Sequence, residues 1–266
     1  MTQGRVLIVA GSDSGGGAGI QADIKTVTAL GGFAMTAVTA LTAQNTLGVH
    51  GVFTAPAAFV RQQIDVVLSD IGADVVKTGM LAEAAIVEEV GRALDAWGRP
   101  PLVLDPVMIA KGGASLLAAE AIETVRSVLL PRAAVITPNA PEAARLTGLA
   151  VESEDAQQRA AERLVELGAA AALVKGGHVP GGTVVDVLAL RSGEVHRFEA
   201  PRLEGRATHG TGCTLASAIA ARLALGAALP QAVQCAIAYV REAMRRAPGL
   251  GAGHAPLDHG WPCRNS

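Results

Sequence analysis

The sequence predicts an α/β protein: a mainly parallel central sheet, helices on its faces and a small β-hairpin. Three observations carry this. Short apolar runs alternate with longer amphipathic stretches from Arg5 to Arg246, the rhythm of repeated strand–helix units. Half of the 266 residues are apolar but only 3% are aromatic. The core must therefore be built from Ala, Val, Leu and Ile, which suits parallel strands covered on both faces. Finally, polar and glycine-rich segments recur just after the apolar runs, and ligands of open α/β sheets sit at the carboxyl ends of strands.

The elements follow in order. Arg5–Ala10 (RVLIVA) reads as a buried strand, and Gly17–Leu30 as a helix after a glycine-rich turn. Met35–Ala43 is a strand rich in Thr and Val, and Pro56–Leu68 a helix with Pro in its first turn. Ala73–Lys77 and Leu102–Asp105 are strands flanking a helix over Ala82–Trp97; Pro106 ends the second. Ala118–Leu130 is a helix, Ala133–Thr137 a strand, and Pro141–Thr147 a short helix stopped by Gly148. Ser153 caps a helix running to Leu167, and Ala171–Lys175 is a strand. Val184–Arg191 and Glu194–Glu199, joined by Ser192-Gly193, form a hairpin. Thr211–Leu225 and Pro230–Arg246 are the last helices, and an irregular Gly/Pro-rich tail begins at Pro248. No linker or low-complexity segment divides the chain, so one domain over residues 1–266 is expected.

Composition narrows the function. The net charge is −2 and aromatics are few, which argues against nucleic-acid binding. Charged residues make up only 17%, which points to surface covered in an oligomer. Cys213, Cys235 and Cys263 form no CxxC pair and fit a reducing, cytoplasmic setting. The first five residues lack signal-peptide features. The longest apolar helix, around Thr214–Leu229, is interrupted by Arg222 and too short to span a bilayer.

The glycine-rich turn Gly11–Gly19 contains a loose G-x-G-x-x-A match at Gly17–Ala22. The strand after it ends Leu41-Thr42-Ala43-Gln44 without the acid a nicotinamide site needs, and no P-loop occurs. Backbone amides lining a small-molecule pocket are the better reading. Asp23, one turn after Gly19, is either a helix-dipole partner or a pocket residue. Gln44 is either a loop cap or an amide paired with a ring that offers a donor beside an acceptor. Asp105, Glu142 and Lys175 each follow a strand. Singly each is a cap or surface charge; together they suit Mg²⁺ and a polyphosphate. Thr208-His209-Gly210-Thr211-Gly212-Cys213 enters a long helix. Its glycines let successive amides converge into an anion hole. Cys213 in the first turn is expected to have a lowered pKa and to act as a base, against the alternative of a small packing residue. His209 invites a Cys–His nucleophile, but no orienting third group is visible.

These stretches, AGSDSGGGAGIQAD (10–23), AQNT (43–46), KTGML (77–81), LDPVMIAK (104–111), TPNAPEA (137–143), VKGGH (174–178) and HGTGC (209–213), resemble the hydroxymethylpyrimidine/phosphomethylpyrimidine kinases of thiamin biosynthesis, within the ribokinase superfamily. The resemblance implies a ribokinase-like three-layer α/β/α fold and a homodimer. It also implies ATP-dependent phosphorylation of 4-amino-5-hydroxymethyl-2-methylpyrimidine and then of its monophosphate. By motif match Gln44 and Asp23 hold the pyrimidine, and Gly11, Met80 and Val107 line its pocket. Gly210 and Gly212 form the anion hole beside the base Cys213. Lys175, Thr208 and Thr211 contact the nucleotide, and Asp105 and Glu142 organise Mg²⁺. Lys111 would close over phosphates or bind the monophosphate substrate; Gly112-Gly113, where the family has Ser-Gly, departs from the pattern. Pyridoxal and pyridoxine kinases of the same superfamily are the alternative.

Overall fold

The computed structural model describes residues 3–108, 119–205 and 207–264. Lys111, Gly112, Gly113 and the expected helix start at Ala118 lie outside them. Among the described residues nine strands form one sheet: β1 (Arg5–Asp13), β2 (Phe33–Asn45), β3 (Gly48–Thr54), β4 (Val75–Thr78), β5 (Leu102–Leu104), β6 (Ala133–Ile136), β7 (Ala171–Val174), β8 (Thr183–Leu190) and β9 (Val195–Pro201). Their order is β3-β2-β1-β4-β5-β6-β7-β8-β9. Strands β2 through β7 in that order run parallel, and β3, β8 and β9 pair antiparallel at the two edges.

The inner strands read as unbroken apolar runs because both faces are covered. Side chains alternate: Val6, Ile8 and Ala10 of β1 point into one core, Leu7 and Val9 into the other. The first core is closed by α1 (Gly19–Ala29), α7 (Thr211–Ala224) and α8 (Leu229–Arg245). The second is closed by α2 (Ala57–Asp70), α3 (Ala84–Ala96), α4 (Ala119–Thr124), α5 (Ala140–Thr147) and α6 (Glu154–Glu166). This is the expected α/β/α arrangement, with the β8–β9 hairpin in place.

Three details depart from expectation. No element was expected over β3. It lies on the sheet edge, and its large apolar residues Val52 and Phe53 face outward, so no inward alternation marks it. β2 runs on to Asn45, whose Oδ1 accepts the amides of Leu47 and Gly48 to make the turn into β3. The helix expected through Leu130 breaks at Thr124 into a π turn (Val125–Leu129) and a 3₁₀ turn (Leu130–Arg132). Pro131 has no amide to continue an α-helix.

The tail after Pro248 is irregular up to a 3₁₀ turn at Trp261–Arg264, but it is not loose. It runs beside Thr46, where the His254 amide donates to the Thr46 carbonyl at 2.9 Å, and past His209, whose amide donates to Ala255 O at 3.3 Å. Its end is pinned by Tyr239 and Arg246 against Trp261.

Candidate active site

The carboxyl ends of the parallel strands open into a cavity of about 600 Å³. Along the sheet its lining runs from Gln44 near the end of β2 and Gly11 of β1, through Met80 after β4 and Asp105 and Val107 after β5, to Glu142 after β6 and Lys175 after β7. Thr208, Gly210, Thr211, Gly212 and Cys213 face them from the start of α7. The structure thus gathers every site residue expected from sequence except Asp23.

Asp23 is a correction. It sits on α1 beneath the cavity, fully buried, with Lys77 Nζ 2.9 Å from each carboxylate oxygen and Ser217 Oγ donating at 2.6 Å. Burial pushes its carboxyl up and Lys77 opposes this; Lys77 in turn is held above its ordinary value by Asp23 despite its own burial. Lys77 Nζ reaching both oxygens, with Ser217 donating to one of them, suits a carboxylate paired with an ammonium. All its capacity is spent inside the protein. Lys77, a charged residue in the buried strand β4, takes its place in the cavity lining. That charge inside an apolar run is the signal that could have found it.

Asp13 was also missed. Its carboxylate accepts the amides of Gly15, Gly17 and Ala18, and His209 Nε2 lies 2.8 Å away. Burial alone would raise its pKa, but the His209 hydrogen bond and the amides outweigh burial and hold it below the ordinary value. The glycine-rich loop is thereby tied to the HGTGC segment. His209 serves this tie rather than pairing with Cys213.

The expected anion hole lies at the start of α7. Gly210, at φ +81°, caps α7, and among the described residues no side-chain cap bond fills its first turn. Those amides therefore remain available to an anion. A Cβ on Gly212 would lie 3.3 Å from Lys175 Nζ and 3.9 Å from Asp105 Oδ2, so this helix start faces both charges.

Cys213 stands in that first turn, but its expected low pKa is not found. The residue is half-buried against the cavity, yet enclosed enough on its other sides that burial dominates. Burial pushes the thiol up to about 12; Lys77 opposes, while Asp23 and Asp105 add to the rise. Desolvation and two carboxylates outweigh the helix terminus.

Asp105 and Glu142 are brought together with Lys175. Asp105 Oδ1 lies 3.4 Å from Lys175 Nζ and 3.3 Å from Thr137 Oγ1. Its Oδ2 is buried and, among the described residues, has no hydrogen-bond partner. Glu142 is also a cap: its Oε2 accepts the Asn139 amide at 2.8 Å while Asn139 Oδ1 accepts its own amide, a reciprocal capping box. Burial pushes the Glu142 carboxyl up to about 7; Lys175 lowers it and Asp105 raises it. No group of three metal-ligating side chains occurs among the described residues. Mg²⁺ asks for less: one or two carboxylates, with water and phosphate completing the shell. The orphaned Asp105 Oδ2 beside a high-pKa carboxyl fits such an ion.

Beyond Lys175, β8, β9 and α8 add an apolar wall of Val184, Phe198, Leu203, Ile237, Val240 and Met244. The cavity thus has a polar end at Gln44, a charged waist at Asp105, Glu142 and Lys175, and an apolar far end. A family model described as phosphomethylpyrimidine kinase matches residues 13–258.

The chain belongs to the phosphomethylpyrimidine kinase family. This kinase is 49% identical to the hydroxymethylpyrimidine/phosphomethylpyrimidine kinase of Bacillus subtilis, over 98% of this chain and 97% of that one. With the enzyme of the same name from Streptomyces coelicolor it shares 52% identity, over 96% and 94% of the two chains. Among solved structures, this kinase is similar to the phosphomethylpyrimidine kinase of Clostridium difficile (TM-score 0.81, 40% identity, 90% and 99% covered). It is also similar to a Staphylococcus aureus pyridoxal kinase in complex with AMP-PCP and pyridoxal (TM-score 0.90, 32% identity, 98% and 94% covered). The ribokinase-like fold expected from the motifs is therefore present.

Proposed function

We propose that this kinase transfers the terminal phosphoryl group of ATP to the hydroxymethyl group of 4-amino-5-hydroxymethyl-2-methylpyrimidine, and then phosphorylates the monophosphate. The observation that carries this is the uncapped amide end of α7, set between Gln44 on one side and Lys175 and Asp105 on the other. The pyrimidine lies against Gly11, Met80 and Val107 with its edge on Gln44. The reacting phosphoryl group rests on the amides from Gly210 to Cys213, with Lys175, Thr208 and Thr211 on the nucleotide phosphates and the apolar wall around the base. Asp105 and Glu142 hold Mg²⁺, which when bound neutralises charge on the phosphate oxygens. Lys77, fixed by Asp23, supplies a second positive charge near Cys213.

Cys213 in its thiolate form takes the hydroxymethyl proton as the oxygen bonds to phosphorus. With the thiol near 12, only about one molecule in 10⁵ carries it at pH 7. Positioning and electrostatics therefore do most of the acceleration.

The enzyme works as one domain and as a cytoplasmic homodimer. Supporting the dimer, the edge strand β3 and its neighbourhood expose Leu41, Leu47, Val52 and Phe53, the last at 69%. Such an apolar sheet edge calls for a cover. No helix among the described residues is long and apolar enough to cross a membrane.

Incubation of the protein with ATP, Mg²⁺ and the pyrimidine should add one phosphate by mass and then a second, with ADP released. A higher kcat/KM for pyridoxal than for the pyrimidine would move the assignment to the pyridoxal kinases. No mass gain on either ring would end it.

A further inference from the structure

We propose that Asp13 and His209 fix which way round the Gln44 amide lies. In this way they make the site select a ring with an amino group beside a bare ring nitrogen over its oxo counterpart. The proposal rests on the reading of Gln44 as the ring contact.

Proton accounting carries it. Asp13 accepts three backbone amides, and its Oδ2 lies 2.8 Å from His209 Nε2. An ionised carboxylate only accepts, so Nε2 carries a proton whatever the state of the other ring nitrogen. Gln44 Nε2, also a donor, lies 3.3 Å from that same nitrogen. On the amide's other side, Gln44 Oε1 lies 3.2 Å from Thr42 Oγ1, whose single proton is also directed to Ser12 O at 3.0 Å. Turning the amide by half a rotation removes the donor–donor contact. Oε1 then takes the weaker arm of a His209 Nε2–H shared with Asp13, and Nε2 donates to a Thr42 hydroxyl that itself donates to Ser12.

The His209 ring packs closely against Gly17. A Cβ on Gly17 would lie 2.4 Å from its Cδ2, and its backbone amide is tied to Ala255 O. With one lone pair of Oε1 and one N–H of Nε2 used internally, Gln44 keeps one acceptor and one donor, in fixed order, for a ligand. An aminopyrimidine edge matches that order. A 4-oxo ring presents acceptor and donor reversed and meets like against like, the kind of mismatch that discriminates most strongly. His209 is thus a positioning residue acting through Gln44.

The test is the ratio of kcat/KM for the amino ring over its 4-oxo analogue, in wild type, His209→Phe, Gln44→Ala and the double variant. His209→Phe should lower the ratio on the order of tenfold while leaving the KM for ATP unchanged. In the Gln44→Ala background the same change should have no further effect. His209→Gln, whose side-chain nitrogen stands where Nε2 stood, should keep most of the wild-type ratio, and it carries the test if the Phe variant does not fold. A wild-type ratio in His209→Phe, or an equal loss with and without Gln44, overturns the proposal. If Gln44→Ala itself leaves the ratio and the pyrimidine KM intact, the ring-contact reading of Gln44 fails first, and this proposal with it.

Discussion

Replacing Gly210 by Ala tests the anion hole with a magnitude the structure supplies. At φ +81° a side chain costs roughly 1–2 kcal/mol of backbone strain. The larger effect is steric: the new Cβ would lie 1.9 Å from the Gly17 carbonyl oxygen, where real Cβ contacts stay beyond 3.0 Å. The HGTG segment and the glycine loop must therefore separate by at least 1.1 Å (3.0 less 1.9). A misplacement of about 1 Å at reacting groups costs on the order of a hundredfold in rate, and loss of an oxyanion donor costs about as much. Gly210→Ala should thus lose at least about a hundredfold in kcat by ADP release. Nucleotide affinity measured by calorimetry should change far less, because the apolar wall is untouched. Gly212→Ala is the milder comparison: its φ is not positive, and its Cβ would lie 3.3 Å from the flexible end of Lys175 and 3.9 Å from Asp105 Oδ2. Turnover of Gly210→Ala within about threefold of wild type would refute the claim that these amides grip the migrating phosphate.

Other outcomes follow from the buried charges. Lys77→Met leaves Asp23 buried without its partner and should destabilise the fold by about 3–5 kcal/mol in chemical denaturation. Adding Asp23→Asn should recover most of that stability but not turnover; recovered turnover would show that Lys77 is only structural. Cys213→Ala should nearly abolish turnover while the pyrimidine still binds in calorimetry, and wild-type-like turnover would remove Cys213 as base. Because burial raises the thiol to about 12, the thiolate fraction, and with it alkylation of Cys213 by iodoacetamide, should climb with pH up to pH 10. A plateau below pH 9 would contradict the raised value. Asp105→Asn should raise the Mg²⁺ concentration needed for half-maximal turnover by at least about tenfold, and an unchanged Mg²⁺ requirement would dissociate Asp105 from the ion.

Much of this was legible in the sequence, for physical reasons that also explain the failures. Apolar runs such as Arg5–Ala10 and Ala171–Lys175 announce buried parallel strands, because only those are apolar on both faces. β3 gave no such sign, since its apolar residues face outward from a sheet edge. The site's membership was readable from glycine and polar residues at strand ends. Its internal pairing was not. That Asp23 would spend itself on Lys77, 54 residues away, depends on how α1 packs on β1, the sheet neighbour of β4. The pKa of Cys213 failed for a related reason. A helix start is visible in one dimension, but the carboxylates and burial that overrule it come from other elements, α1 and the end of β5.

The placement of those charges has a consequence for how the cavity handles phosphate. Asp23 cancels Lys77 beneath the floor, and Asp105 and Glu142 face Lys175 at the waist. An empty site with both lysines uncompensated would bind any polyanion. Here the Lys77 charge is held by a partner that cannot leave, while Lys175 is shared with a carboxylate 3.4 Å away whose second oxygen remains open. Phosphate binding at Lys175 is therefore favoured when a cation occupies the carboxylates at the same time. Selectivity for the metal complex over the bare nucleotide is thus written into the pairing of Asp105 with Lys175, and Asp105→Asn should weaken it: the variant's affinity for metal-free ATP should rise as its affinity for the Mg²⁺ complex falls.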